Sequence, residues 1–405
     1  MVCDQIAMSL KNRIITFVFL SAFVGLALPG CERDDPTPLF VPEFLAGSEK
    51  VGTMTRQEIQ ALIAGNDFFP SGVQFLVLYD VEAIRIHYHT VTAEGDPVVA
   101  SGALLVPRTS QVAPLLSFQH GTITDPAEAP SLFDSDYTEQ SAIFASTGFI
   151  IALPDYLGYG VTAGTAHPYE HRATLATATR DMIRASREYF VDTRHPGPSS
   201  QLFLTGYSEG GFATMSALKL LQEEHREEFQ VTAATVGAGA YNKTASTRWA
   251  LEAEEELEHI NSFLWVLDAY NRIYPSLRRS LQDYVNEPWA SELEAGGVFA
   301  PVERNPRVLF REGFVQGVLE GTDTAFLEAL SDNDVYDWKP EMPLRLYHGT
   351  ADRLVPFLNS DSALEAMSAR GAPDVVLIET PEGTHDTSFM DYIAGTFMFF
   401  LQVRE

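Results

Sequence analysis

Two kinds of apolar run follow one another along this chain. From Val73 to Pro107 the runs VQFLVLYD, AIRIHYHTV and PVVASGALLVP alternate, in part, between apolar and polar positions. That period of two predicts three strands of an antiparallel meander, each with one face toward a core. APLLSF (113–118) and GFIIALP (148–154) are continuously apolar and end at turn residues. Such runs suit strands buried on both faces of a parallel sheet. Further strands are expected at SQLFLTG (200–206), VTAATVG (231–237), PLRLYHG (343–349) and DVVLIE (374–379).

Helical stretches separate these later runs. Thr174 to Tyr189, Gly211 to His225, Leu354 to Arg370 and Phe389 to Val403 are the candidates, with Met215, Leu218 and Leu221 on one face of the second. Near the N-terminus, Thr55 followed by Glu58 predicts a capping box that opens a helix through Ala64. Strands alternating with helices after an antiparallel start predict an α/β fold, its central sheet mostly parallel and flanked by helices. Between Ala240 and Lys339 the alternation stops. LEAEEELEHI and SFLWVLDAY are helical in tone, and Trp249, Trp265 and Trp289 fall here. A structureless loop of that length does not suit a compact domain. Residues 240–339 are therefore expected to form a helical cap inserted into a core of 51–239 and 340–405, with most of its aromatics packed in its own interior.

The first residues follow a different rule. Lys11 and Arg13 precede the apolar IITFVFLSAFVGLAL (14–28), which ends in PGC. A charged segment and a short apolar one predict a signal peptide over 1–30, too short for a comfortable membrane span. LPGC resembles a bacterial lipoprotein signal, in which Cys31 becomes the acylated first residue of an exported, membrane-anchored chain; the other reading is a plain secretory signal, with Cys31 merely nearby and the chain secreted. Residues 31–50, acidic and proline-containing at their start, are expected to be a tether. The only other cysteine is Cys3, which leaves with the signal, so no disulfide is expected.

Composition narrows the function. Among 405 residues, 27 are basic and 55 acidic, a net charge of −28. That excess disfavours nucleic acid and any electrostatic attraction to anionic membranes. HYH puts His87 and His89 on one strand face, but no further ligands at suitable spacing follow, so no metal is expected. DSD (134–136) and DND (332–334) lack the glycine and distal glutamate of a calcium loop.

The chemistry gathers around LTGYSEGG. Gly206 and Gly210 flank Ser208 at the end of an expected strand and the start of an expected helix. Glycines at those places allow a turn tight enough to lift a serine above the sheet. A serine hydroxyl needs a base, and the base needs a carboxylate to fix its tautomer. Asp352, in LYHGTADRLVPF, and His385, in ETPEGTHDTSF, both lie in loops just past strands. Catalytic groups of open α/β sheets collect at such strand ends. The chain order Ser208, Asp352, His385 is that of α/β-hydrolases. The oxyanion donors expected are the backbone N–H of Glu209 and that of Gly121 or Thr122 in QHGTITDP, with the Thr122 hydroxyl as a possible addition. His120 is expected to shape that loop, Asp155 to hold the loop DYLGYG, and Tyr156 and Tyr207 to line the pocket.

FQHGT, PDYLGYG, HPY, GYSEGG, HGTADRLVP and GTH occur in the order found in the secretory lipase family, the Candida-type lipases and their bacterial relatives. The chain resembles that family over roughly residues 70 to 400. The resemblance implies an α/β-hydrolase with a cap inserted before the acid-bearing strand, a lipase or esterase acting on a small-molecule or lipid ester through Ser208, Asp352 and His385. It implies no metal or organic cofactor. Glu209 departs from the small or amide residue that many relatives carry after the serine, and its carboxylate must point away from the oxyanion. Other readings stay open: a short-chain esterase, a serine peptidase or acyl-aminopeptidase with the same triad, and a catalytically idle surface binding protein of the same fold.

Overall fold

The computed structural model describes residues 40–65 and 72–405. The expected signal segment, Cys31 and the tether through residue 39 lie outside the described residues. Nine strands make one sheet: β1 (Leu45–Met54), β2 (Val81–Val91), β3 (Pro97–Pro107), β4 (Ala113–Gln119), β5 (Ile150–Pro154), β6 (Pro198–Tyr207), β7 (Val231–Gly237), β8 (Leu344–Gly349) and β9 (Val375–Thr380). Their spatial order is β1-β2-β3-β5-β4-β6-β7-β8-β9. The pairings from β1 to β5 in that order are antiparallel. Those from β5 through β9 are parallel. Every residue of β4 and β5 is buried, as their unbroken apolar sequences require.

Helices cover both faces. They are α1 (Arg56–Ala64), α2 (Asp136–Ser146), α3 (Arg172–Asp192), α4 (Glu209–Glu224), α5 (Lys243–Glu252), α6 (Ile260–Ile273), α7 (Trp289–Gly296), α8 (Pro306–Leu309), α9 (Glu312–Leu319), α10 (Thr324–Asp332), α11 (Leu358–Ala369) and α12 (Phe389–Val403). Residues of α3, α4 and α11 pack into one core with one sheet face. Residues of α1, α2 and α12 pack into a second core with the other. The Thr55–Glu58 capping box opens α1. Between β7 and β8 the sheet gains no strand. Helices α5 to α10 fill that interval and bury a third cluster of their own, which includes Trp265, Tyr270 and Phe326. No helix among the described residues is long and apolar enough to cross a membrane.

Two expectations from periodicity are corrected. The tether was expected to run to residue 50, yet the chain is already a strand from Leu45 and pairs with β2. An edge strand keeps most of its side chains in water, and only Leu45 of β1 is buried, so its sequence carries little apolar signal. VQFLVLYD was expected to be a strand, but Val73–Leu76 is a 3-10 turn entered through Gly72 at φ 112°. Phe75 and Leu76 of this run are exposed, and β2 already has a neighbour on each side.

Candidate active site

The end of β6 and the start of α4 hold Ser208 at φ 58°, ψ −124°. A non-glycine residue in that region is strained, and such strain persists only where the surroundings enforce it. Here they do. The Ser208 N–H donates to the Gly237 carbonyl at 2.9 Å. A Cβ on Gly206 would run into the Gly210 carbonyl, and one on Gly210 would run into the Gln119 carbonyl. The two glycines are thus required by backbone packed on backbone. Gly206→Ala is expected to destabilise the fold by about 3 kcal/mol or more, since the Gly210 carbonyl cannot yield as a side chain does. Urea unfolding midpoints would measure it.

His385 and Asp352 come to this serine from the loops after β9 and β8. His385 Nε2 lies 3.0 Å from Ser208 Oγ, and its Nδ1 lies 2.7 Å from Asp352 Oδ2. A carboxylate only accepts, so Nδ1 carries the proton and the Nε2 lone pair faces the hydroxyl. Asp352 is buried, and its Oδ1 accepts the N–H groups of Leu354 and Val355, each at 2.9 Å. Burial alone would push its carboxyl up. Hydrogen bonds from His348 and His385, and the charge they can carry, outweigh burial and hold it well below the usual carboxylate range. The Tyr207 hydroxyl donates to the His385 carbonyl at 2.6 Å, which fixes the loop behind the imidazole.

His348 was not among the residues expected in the site, because it precedes the acid in sequence. It is fully buried, with Nε2 3.3 Å from Asp352 Oδ2 and 2.9 Å from the Val355 carbonyl. Its spacing of four before Asp352 was the only sequence signal. His348→Ala removes one donor from a buried carboxylate. It is expected to lower kcat about tenfold and stability by about 1–3 kcal/mol, the usual cost of such a loss. Ester turnover and thermal unfolding of the same preparation check both.

The residues expected to supply the oxyanion donors lie beside Ser208. The Glu209 N–H opens α4, where the first amides have no intrahelical acceptor and the helix field favours negative charge. A Cβ on Gly121 would lie 3.8 Å from Ser208 Cβ and 2.8 Å from the Tyr137 hydroxyl, so the loop presses against the nucleophile. The Thr122 hydroxyl lies 2.9 Å from that of Tyr169. His120 is fully buried, its ring nitrogens against the carbonyls of Gly121 at 2.7 Å and Asp155 at 3.1 Å. The Glu209 carboxylate turns away into the interior, with Oε1 2.6 Å from His167 Nε2.

Asp155 holds its loop by accepting the Ser101 hydroxyl at 2.5 Å and the Ser131 N–H at 2.8 Å. Tyr156 is corrected: it is fully buried, outside the cavity wall, and its hydroxyl donates to the His120 carbonyl at 3.2 Å. Loop packing, not substrate contact, accounts for it. Tyr207 does line the cavity. His87 is half-buried and His89 exposed on β2. No cluster of three or more possible metal ligands occurs among the described residues.

Above Ser208 and His385 opens a cavity of about 970 Å³. Phe263 and Leu267 of α6, Phe314 of α9 and Phe326 of α10 give it an apolar wall, and Gly121 and Thr122 form part of its floor. An imidazole placed to take the hydroxyl proton, a helix N-terminus next to the serine and a chamber with an apolar wall together suit nucleophilic attack on a carbonyl.

The family model for secretory lipases matches residues 139–393, more than half of the chain. The chain belongs to the secretory lipase family. Within it, Lipase 6 of Candida albicans is 26% identical over 232 residues, 53% of this chain and 46% of that protein. The match thus spans about half the length of that curated relative. Secretory lipases share their fold with solved structures. A protein solved as a candidate hydrolase from Legionella pneumophila superposes with a TM-score of 0.79 at 23% identity, over 89% of this chain and 98% of that one. LipA, the rice cell wall degrading esterase of Xanthomonas oryzae, superposes with 0.74 at 24% identity, over 89% and 97%. Both likenesses show the α/β-hydrolase fold. The order of this sheet and the insertion between β7 and β8 fit it.

Proposed function

We propose that this secretory lipase is an exported ester hydrolase with a Ser208–His385–Asp352 triad. The observation that carries the reading is the unbroken chain of contacts from Ser208 Oγ through His385 to buried Asp352, beneath a chamber with an apolar wall. His385 Nε2 takes the hydroxyl proton as Oγ attacks the ester carbonyl. The N–H groups of Glu209 and of Gly121 or Thr122 receive the resulting oxyanion. The imidazolium returns its proton to the departing alcohol, which leaves an acyl group on Ser208. Water, deprotonated by the same imidazole, attacks the acyl carbon and releases the carboxylic acid.

Helices α5 to α10 act as the cap, and their phenylalanines give the acyl chain an apolar wall to bury. Burial of each further CH₂ is worth about 0.8 kcal/mol, so kcat/KM should rise along a nitrophenyl alkanoate series until the chamber is filled. We also propose that Cys31 carries the lipid anchor; radiolabelled fatty acid incorporation, abolished by Cys31→Ser, tests that. Fluorophosphonate labelling of Ser208 with the ester series tests the enzyme reading. Failure to label, or turnover of aminoacyl anilides ahead of esters, would sink it.

A further inference from the structure

Glu209 has a second part in this site, through its side chain. The carboxylate is fully buried one residue after the nucleophile, and its Oε2 has no hydrogen-bond partner among the described residues. Oε1 meets only His167 Nε2, at 2.6 Å. The other ring nitrogen of His167 lies 2.7 Å from the Leu157 carbonyl. A carbonyl only accepts, so Nδ1 must carry a proton. One further proton must then lie between Nε2 and Oε1, because two lone pairs at 2.6 Å would repel. Carboxylate with imidazolium and carboxylic acid with neutral imidazole hold the same proton count. In both, the pair has no net charge.

We propose that His167 is a positioning residue that shares one proton with Glu209, so that the residue lending its N–H to the oxyanion brings no net negative charge to it. The proposal rests on the ester-hydrolase reading above. Without that proton a bare carboxylate would sit beside the developing oxyanion in a medium of low dielectric, where like charges oppose strongly. Among the described residues no other cation is hydrogen-bonded or ion-paired to this carboxylate. His167 is walled by the rings of Tyr156, Tyr159, Tyr169 and Trp265. Buried His120, Tyr137, Glu170 and Lys243 feel the Glu209 charge without bonding to it, and Lys243 is paired with Glu170. Arg272 donates to the His167 carbonyl at 3.1 Å, which holds the backbone but not the carboxylate.

Charge balance and simple tethering make opposite predictions in a double-mutant cycle, read as kcat and KM with nitrophenyl butyrate. His167→Gln can still donate to Oε1 but leaves the carboxylate charge uncompensated. It is expected to lower kcat about a hundredfold, near the lower end for losing an oxyanion donor, and to move KM less than about threefold. Adding Glu209→Gln removes that charge and is expected to recover at least about fivefold. A smaller recovery, or wild-type kcat in His167→Gln, overturns the proposal. If His167→Gln does not fold by near-ultraviolet circular dichroism, labelling of Ser208 in Glu209→Asp and Glu209→Gln takes its place. Asp keeps the charge but falls a methylene short of Nε2, and is expected to label at least about tenfold more slowly than Gln; equal rates overturn the proposal. A wild type that fluorophosphonate does not label overturns the ester-hydrolase reading itself, whereas a labelled wild type with a flat cycle overturns this inference alone.

Discussion

Ser208→Ala is expected to lower kcat about 10⁶-fold, the scale on which removal of a triad serine acts, while the purified protein still folds. The side chain makes one contact, with His385 Nε2, and loses only an oxygen. The strained backbone at Ser208 comes from Gly206 and Gly210 packed on neighbouring carbonyls, and alanine inherits it unchanged. His385→Ala should fall as far, and the double variant no further, because serine and base act as one unit. Ester turnover with thermal unfolding on the same samples checks this. A Ser208→Ala protein that keeps even about a thousandth of wild-type turnover would move the nucleophile elsewhere.

Asp352→Asn is expected to cost about 10⁴-fold in kcat, because an amide no longer holds His385 in the tautomer that leaves Nε2 free. Four donors surround this side chain: two backbone N–H groups, His385 Nδ1 and His348 Nε2. An asparagine NH₂ must face one of those donor sets, which adds about 1–3 kcal/mol of instability for an unsatisfied buried group. The pH dependence has a definite sign. The folded carboxyl titrates below its unfolded value, so its stabilisation is complete above the ordinary carboxylate range and is lost as pH falls through the lowered folded value. Wild type should therefore lose stability in acid more steeply than Asp352→Asn. Parallel acid-unfolding curves for the two proteins would refute that linkage.

Site and scaffold differ in how far local sequence reaches. Ser208, Asp352 and His385, which the fold brings into contact, were legible as candidates because each sits where an apolar run stops and a turn begins, a purely local sign. Glu209 was expected as a backbone donor, and its side chain had no sequence account. Its partner His167 lies 42 positions earlier, in the HPY motif, to which no role was assigned from sequence. His348 escaped because it precedes the acid in chain order, and nothing local shows that its ring meets the carboxylate. Tyr156 failed the other way: a tyrosine beside the site was expected in the pocket and was drawn instead under the His120 loop.

By itself the sequence determined the period of each run, and with it the strands β4 to β9 and the helices α3, α4, α11 and α12. It also determined which residues stand at strand ends, because apolar periodicity is set by neighbours a few positions apart. Only the tertiary structure decided that Leu45–Met54 joins the sheet as an edge strand, whose solvated side chains leave no such period. Only packing, too, brought His385 across 177 positions to Ser208 and set His167 against Glu209. Burial makes most polar atoms find a partner, and which partner each finds depends on how distant segments meet.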